Sequence, residues 1–154
     1  MARTDFSLMD CTIARTLDVI GERWSLLIVR DAFYGVRRFD DFRADLGIAR
    51  NVLTDRLTTL VAQGVFERRQ YHQRPPRFEY VLTDKGRELM PVMLTMMRWG
   101  DRWEADGMAP VTVTHTTCGH ETTPLVTCSH CSHELGWGQV VTDPIPVNLP
   151  ARAG

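Results

Sequence analysis

The chain has 154 residues, 44% hydrophobic and 24% charged, values that suit one ordinary globular domain with a small appendage. Its 18 basic residues meet 19 acidic ones for a net charge of −1, which excludes the broad basic field of an indiscriminate nucleic-acid binder. No apolar run approaches the ~20 residues of a membrane-spanning helix, and Asp5 and Asp10 fall where a signal peptide needs an apolar core. The expected compartment is the cytoplasm, without membrane contact. The charge is unevenly placed. Up to Glu104 there are 17 basic against 15 acidic residues, and beyond it 1 against 4. The first part is thus mildly basic, which predicts salt-sensitive binding through a few arginines.

Ile13, Leu17 and Ile20 stand at helical spacing and predict a helix over residues 11–20. A second helix is predicted over 24–34, with Trp24 as a core anchor for a three-helix cluster. Arg37 and Arg38 follow the closing Gly35; they read either as a solvated linker pair or as phosphate contacts. Residues 38–46 form a short helix with Phe39, Phe42 and Leu46 on one side, ended by Gly47. Residues 48–64 then place Leu53, Leu57, Leu60 and Val61 on one stripe, with Asn51, Thr54, Asp55 and Thr58 mostly opposite. Gly64 supplies a left-handed stop. Alone, this is any solvated amphipathic helix. Two helices joined by a tight glycine turn, however, make a helix-turn-helix whose second member can enter a DNA major groove.

Two strands follow, over 65–71 and 78–82, separated by His72-Gln73-Arg74-Pro75-Pro76-Arg77. A hairpin directly after the second helix is a wing, and Arg74 and Arg77 stand at its proline-stiffened tip. Thr83 takes an N-cap position before a helix predicted over 84–104, about 31 Å long at 1.5 Å per residue. Leu89, Val92, Met93, Met96, Met97 and Trp99 give that helix more apolar surface than a terminal helix of one small domain needs. It reads as a dimer arm, kinked at Pro91, or else as a helix packed back on its own domain.

Cys11, L-D-V-I-G-E-R-W-S-L-L-I-V-R-D-A (17–32), G-V-R-R-F-D-D-F (35–42) and G-I-A-R-N-V-L-T-D-R-L-T-T-L-V-A-Q-G (47–64) follow in order. R-P-P-R-F-E-Y-V-L-T-D-K-G (74–86) and M-R-W-G (97–100) complete the set. Over roughly residues 11–104 the chain resembles the HxlR-type winged-helix transcription regulators, relatives of the MarR group. The resemblance implies a homodimer joined by its terminal helices, with two recognition helices and two wings on a pseudo-palindromic operator. It also implies that Cys11 can sense oxidants or electrophiles; the other reading of Cys11 is an inert thiol near the dimer seam, and Arg15 alone offers little activation. Two positions depart from the family pattern. Ala49 stands where Ser or Thr usually opens the recognition helix, and Thr12 where proline commonly follows the first cysteine.

The other three cysteines lie in H-T-T-C-G-H-E-T-T-P-L-V-T-C-S-H-C-S-H (115–133). His115 with Cys118, and Cys128 with Cys131, are two matched pairs, and zinc takes four N/S ligands in a closed structural tetrahedron. So short a segment has too little core to order itself without a tie. A structural zinc site at His115, Cys118, Cys128 and Cys131 is expected, with His120, His130 and His133 as rivals for the histidine place. Free thiols or a tail without order are the other readings. Val111–Thr114 and Leu125–Thr127 are the expected ribbon strands, and Pro144, Pro146 and Pro150 suggest a loose end. A redox reading of Cys128 and Cys131 lacks the helix that would activate such a pair.

The expected fold is therefore α+β, mainly α. It comprises a winged helix-turn-helix with a long C-terminal dimerisation helix over residues 1–104 and a small zinc-ribbon-like β tail over 105–154. The expected function is that of a homodimeric, sequence-specific regulator of double-stranded DNA, responsive to a small molecule or a thiol-reactive signal, and not an enzyme. Arg50, Asn51, Thr54 and Arg56 are the expected readers of base edges and nearby phosphates, with Arg37 and Arg38 before them and Arg74 and Arg77 on the wing. A zinc-bearing adaptor that binds protein through its winged helix is the alternative. A thiol enzyme is the third reading.

Overall fold

The computed structural model describes residues 10–106 and 109–141. The elements run α1 (Thr12–Ile20), α2 (Arg23–Phe33), α3 (Phe39–Leu46), α4 (Arg50–Ala62), β1 (Phe66–Gln73), β2 (Pro76–Leu82), α5 (Asp84–Arg87), α6 (Met90–Trp103), β3 (Thr114–His115) and β4 (His120–Glu121). Up to the end of β2 this is the order expected of a winged helix-turn-helix. The proline-rich series at Pro144, Pro146 and Pro150 lies outside the described residues.

Contacts divide the chain into two units, one ending at Met90 and one beginning at Pro91. In the first, the apolar stripe of α4 (Leu53, Leu57, Leu60) is fully buried with Ile28 and Val29 of α2, Phe42 of α3, and Val65, Phe66 and Leu82 around the hairpin. Phe42 meets Phe66 edge-on, ring centroids 6.4 Å apart at 89°, the arrangement that aromatic quadrupoles favour. Trp24 is half-buried and packs at the margin of this core. Gly47 turns the chain between α3 and α4 at φ 60°, a left-handed conformation that costs glycine little.

β1 and β2 are antiparallel, with Phe66 opposite Leu82 and Gln73 opposite Pro76, and a register shift between Gln70 and His72. The strands run longer than the breakers suggested, because the tip closes on Arg74 and Pro75 alone. The segment before α3 adds a single antiparallel bridge to β2: Tyr80 N–H donates to the Arg37 carbonyl at 2.7 Å, and Arg38 bridges Glu79. The wing is thereby tied to the entry of the helix-turn-helix.

The single helix expected over residues 84–104 is two helices. Thr83 does cap the first, its Oγ1 accepting from Gly86 N–H at 3.2 Å, but α5 closes at Glu88 and α6 begins at Met90. Pro91 therefore sits in the first turn of α6, where its missing N–H leaves no helical bond unmade, and it starts the helix instead of kinking it. At 14 residues, α6 is about 21 Å long. The division between units also falls earlier than residue 104, because α6 is bound to the tail: Arg98 Nη1 donates to the Pro124 carbonyl at 3.2 Å and pairs with Glu134 at 2.6 Å. In the tail the ladders are shorter than the valine and threonine runs predicted. Thr114–His115 pairs with His120–Glu121, and Thr127 forms a bridge with Glu134.

Candidate nucleic-acid interface and the cysteine-bearing tail

Helix α4 begins at Arg50 with Ala49 as N-cap, and no side chain caps it. Its exposed face consists of Arg50, Asn51, Thr54, Asp55 and Thr58. Thr54 and Thr58 donate their hydroxyl protons to the carbonyls of Arg50 and Thr54, each at 2.8 Å. What they offer outward is therefore a methyl group and an acceptor oxygen. Arg50 lies over the Phe39 ring at 5.2 Å and stands 3.6 Å from Asp40, both partners two-thirds or more exposed. Such a surface pair contributes little, so Arg50 can exchange Asp40 for a phosphate at small cost.

Arg56 departs from the expectation. Its side chain is 14% exposed, pairs with Asp55 at 2.6 Å and reaches Glu22 at 3.8 Å, while Nη1 is buried with no hydrogen-bond partner. The reason is angular: five residues past Asn51, at 100° each, turn Arg56 about 140° away from it. Arg56 braces α4 against the start of α2. The carboxy end of α4 is held equally firmly. Lys85 Nζ donates to the Gln63 carbonyl at 2.7 Å and Thr83 Oγ1 to the Gly64 carbonyl at 2.6 Å.

Arg37, Arg38, Arg74 and Arg77 are all exposed. Arg74 and Arg77 flank the tip of the wing. Arg38 lies over the Tyr71 ring at 4.9 Å, so the entry arginines and the wing form one basic surface. Arg68 joins that surface through Phe78, its guanidinium 3.6 Å from the ring centroid. Arg68 was not singled out from the sequence; its place at alternate spacing beyond the buried Phe66 was the available signal.

Cys11 is the N-cap of α1, part-exposed and a free thiol. Arg15 pairs with Asp10 at 3.7 Å, so its charge is already shared. In the tail, Cys118 Sγ stands 3.4 Å from His115 Nδ1. The Cys128 thiol is held below the usual range by the backbone N–H groups of Cys131 and His130 and by the Cys131 side chain. Among the described residues no three His, Cys, Asp or Glu side chains are gathered so as to hold a metal ion, and no helix follows Cys131.

Residues 19–108 match the model of the HxlR-like helix-turn-helix family. The chain is 42% identical over 137 residues to an uncharacterized HTH-type transcriptional regulator of Mycobacterium tuberculosis, Rv3095, covering 88% of this chain and 86% of the relative. It is similar to the crystal structure of PA1607, solved as a candidate transcription factor, with a TM-score of 0.82 and 35% identity over 92% of this chain and 99% of that one. The reduced form of the redox regulator HypR matches at a TM-score of 0.52 and 37% identity, over 64% of this chain and 100% of HypR. No described helix is long and apolar enough to cross a membrane.

Proposed function

The chain belongs to the HxlR-like helix-turn-helix family of transcriptional regulators, and on that premise we propose that it acts in the cytoplasm as a homodimer on a pseudo-palindromic operator. The observation that carries this reading is the exposed face of α4, with Arg50, Asn51 and Thr54 outward, beside an arginine-tipped wing. Asparagine pairs bidentately with adenine and arginine with guanine. The wing and entry arginines Arg37, Arg38, Arg74 and Arg77 supply phosphate contacts, which fix register without reading sequence. Arg56 serves the site by holding the helix.

The dimer is formed through apolar faces that the chain leaves uncovered. On α6, Val92, Met96, Trp99 and Trp103 are all exposed, and their i, i+4, i+7, i+11 spacing makes one stripe. On α1, Ile13 and Leu17 are exposed as well. Half-sites read by such a dimer lie about one helical turn apart, or a multiple of it. HypR is a redox regulator, and the part-exposed Cys11 at a helix start supports a thiol-reactive signal as input, with a small-molecule effector as the second route. Replacing Cys11 with serine would abolish an oxidant response and leave DNA binding intact.

The DNA reading is tested by binding site selection followed by fluorescence anisotropy at several salt concentrations. Replacing both Arg74 and Arg77 with alanine should weaken selected and random DNA alike and lower the salt slope by about one per lost phosphate contact. Asn51→Ala should instead relax preference at one base pair, about 1–3 kcal/mol of discrimination. A native protein without DNA affinity even at low salt would hand the function to the alternative, an adaptor that binds protein through its winged helix.

A further inference from the structure

The tail contains a repeat in both sequence and backbone shape. His115-Thr116-Thr117-Cys118-Gly119-His120-Glu121 and Cys128-Ser129-His130-Cys131-Ser132-His133-Glu134 share a pattern: a ligand, two residues, a cysteine, a small residue, then His-Glu. They also fold alike. The N–H four residues after the first donor bonds back to its carbonyl in each, Gly119 to His115 at 2.8 Å and Ser132 to Cys128 at 2.9 Å. In each the small residue is left-handed, Gly119 at φ 72° and Ser132 at φ 60°. The necks match too, with His115 opposite His120 and Thr127 bridged to Glu134, and Cys128 N–H reaching the His133 carbonyl at 2.8 Å. Serine accepts a conformation that glycine takes more cheaply, so the second turn keeps its shape against local preference.

Each turn carries a donor at its first and fourth positions. In one, His115 Nδ1 and Cys118 Sγ are 3.4 Å apart. In the other, Cys128 and Cys131 hold the same two places on a turn closed by the Ser132 N–H to Cys128 carbonyl bond. His120 and His133 hold the same place in the two repeats, outside that pair, and His120 Nδ1 is already engaged by the Cys118 carbonyl at 2.8 Å. That contact leaves His120 Nε2 free, and what selects His115 as the donor of the first repeat is its place opposite Cys118, with Nδ1 3.4 Å from the thiol. The Glu134 carboxylate is taken by Arg98. What remains is one imidazole and three thiols, a set for a borderline-to-soft cation and not for calcium or magnesium.

None of the described residues from 109 to 141 is buried. Two short hairpins without a core are held by little besides their backbone bonds, and chains of this kind need a cross-link. We propose that the duplicated turns are the two halves of one structural site in which His115, Cys118, Cys128 and Cys131 bind a single tetrahedral Zn²⁺. Among the described residues no three such side chains are gathered, so the ion joins the halves by turning one pair of donors onto the other across the 122–127 connection. Arg98 pins the second turn to α6 through Pro124 and Glu134, which makes the first turn the half that moves.

The test is a titration of the metal-free full chain, kept reduced, with Co²⁺ and then Zn²⁺. One equivalent per chain should give tetrahedral d–d absorption with thiolate charge transfer, which Zn²⁺ should bleach at about the same stoichiometry. Cys118→Ser, Cys128→Ser and Cys131→Ser should each cut bound metal from about one to below about a tenth per chain. His115→Ala should do the same or convert the spectrum, whereas His120→Ala, His133→Ala and Cys11→Ser should leave it unchanged. In the unsubstituted protein, Zn²⁺ should protect the three tail cysteines from alkylation together and leave Cys11 open to it. Absence of a tetrahedral Co²⁺ spectrum, dependence of the metal on Cys11, or tail cysteines alkylated equally with and without Zn²⁺ would overturn the site.

Discussion

Asp31 is the residue whose environment is most at odds with its charge. Its side chain is 2% exposed, with one carboxylate oxygen held by Arg30 Nε at 2.9 Å and Nη2 at 2.7 Å. The other oxygen is buried without a hydrogen-bond partner. Burial raises its pKa above the ordinary carboxylate range; Arg30 opposes that shift, and the nearby Asp45 reinforces it. The fold thus holds this proton more tightly than the unfolded chain does. Its contribution to stability is present below the unfolded pKa and is lost as pH rises through the folded one. Unfolding free energy measured by urea melts between about pH 4 and 7 should therefore fall with pH more steeply in the native protein than in Asp31→Asn. Parallel pH curves would mean that Arg30 neutralises the carboxylate completely.

At the scale of the element, α4 is a well-buried helix with a poor start. Three leucines on one stripe anchor it, while Ala49 adopts the extended backbone of an N-cap, φ −63° and ψ 139°, and offers no acceptor to the first-turn N–H groups. Ala49→Ser should supply that acceptor and raise unfolding free energy by about 1 kcal/mol, with the denaturant slope unchanged. A fall in stability would show that the exposed N–H groups already have a better partner in water. The neighbouring threonines point the same way. Thr54, Thr58 and Thr59 each back-bond to the carbonyl four residues earlier, a habit that slightly weakens helices. Readable side chains on a helix face thus come at some cost in intrinsic helicity, offset by the buried stripe.

At the scale of the molecule, α6 leaves an apolar stripe uncovered. Trp99 and Trp103 are 59% and 63% exposed, Met96 51%, and α6 buries no residue. Aromatic side chains concentrate the energy of interfaces, so a dimer sealed by this stripe should persist at micromolar concentration in analytical ultracentrifugation. Met96→Glu with Trp99→Glu should shift it to monomer and cost operator affinity far more than random-DNA affinity, since only a dimer engages two half-sites. A native monomer at that concentration would sink the arrangement.

Periodicity and breakers were enough for the winged unit. The leucine stripe of α4, the glycines at 47 and 64, and the strand–proline–strand pattern are local signals. The helices and hairpin they specify appear where expected, within a few residues. Register along one helix also placed Asn51 and Thr54 outward. Residue type alone marks Arg56 as a reader, whereas helical periodicity turns it about 140° from Asn51 and the packing at Glu22 shows what it meets there. The break at Glu88 was hidden for a similar reason: the apolar pattern continues through it, and a proline one residue inside a new helix looks the same in sequence as a proline inside an old one. The joining of Arg37 and Arg38 to the wing depends on a β-bridge across about forty residues of chain, which no local pattern encodes. Local chemistry determined the elements and the ligand spacing of the tail; tertiary contacts decided which arginine is structural, where the long helix divides, and that the two tail turns share one backbone shape.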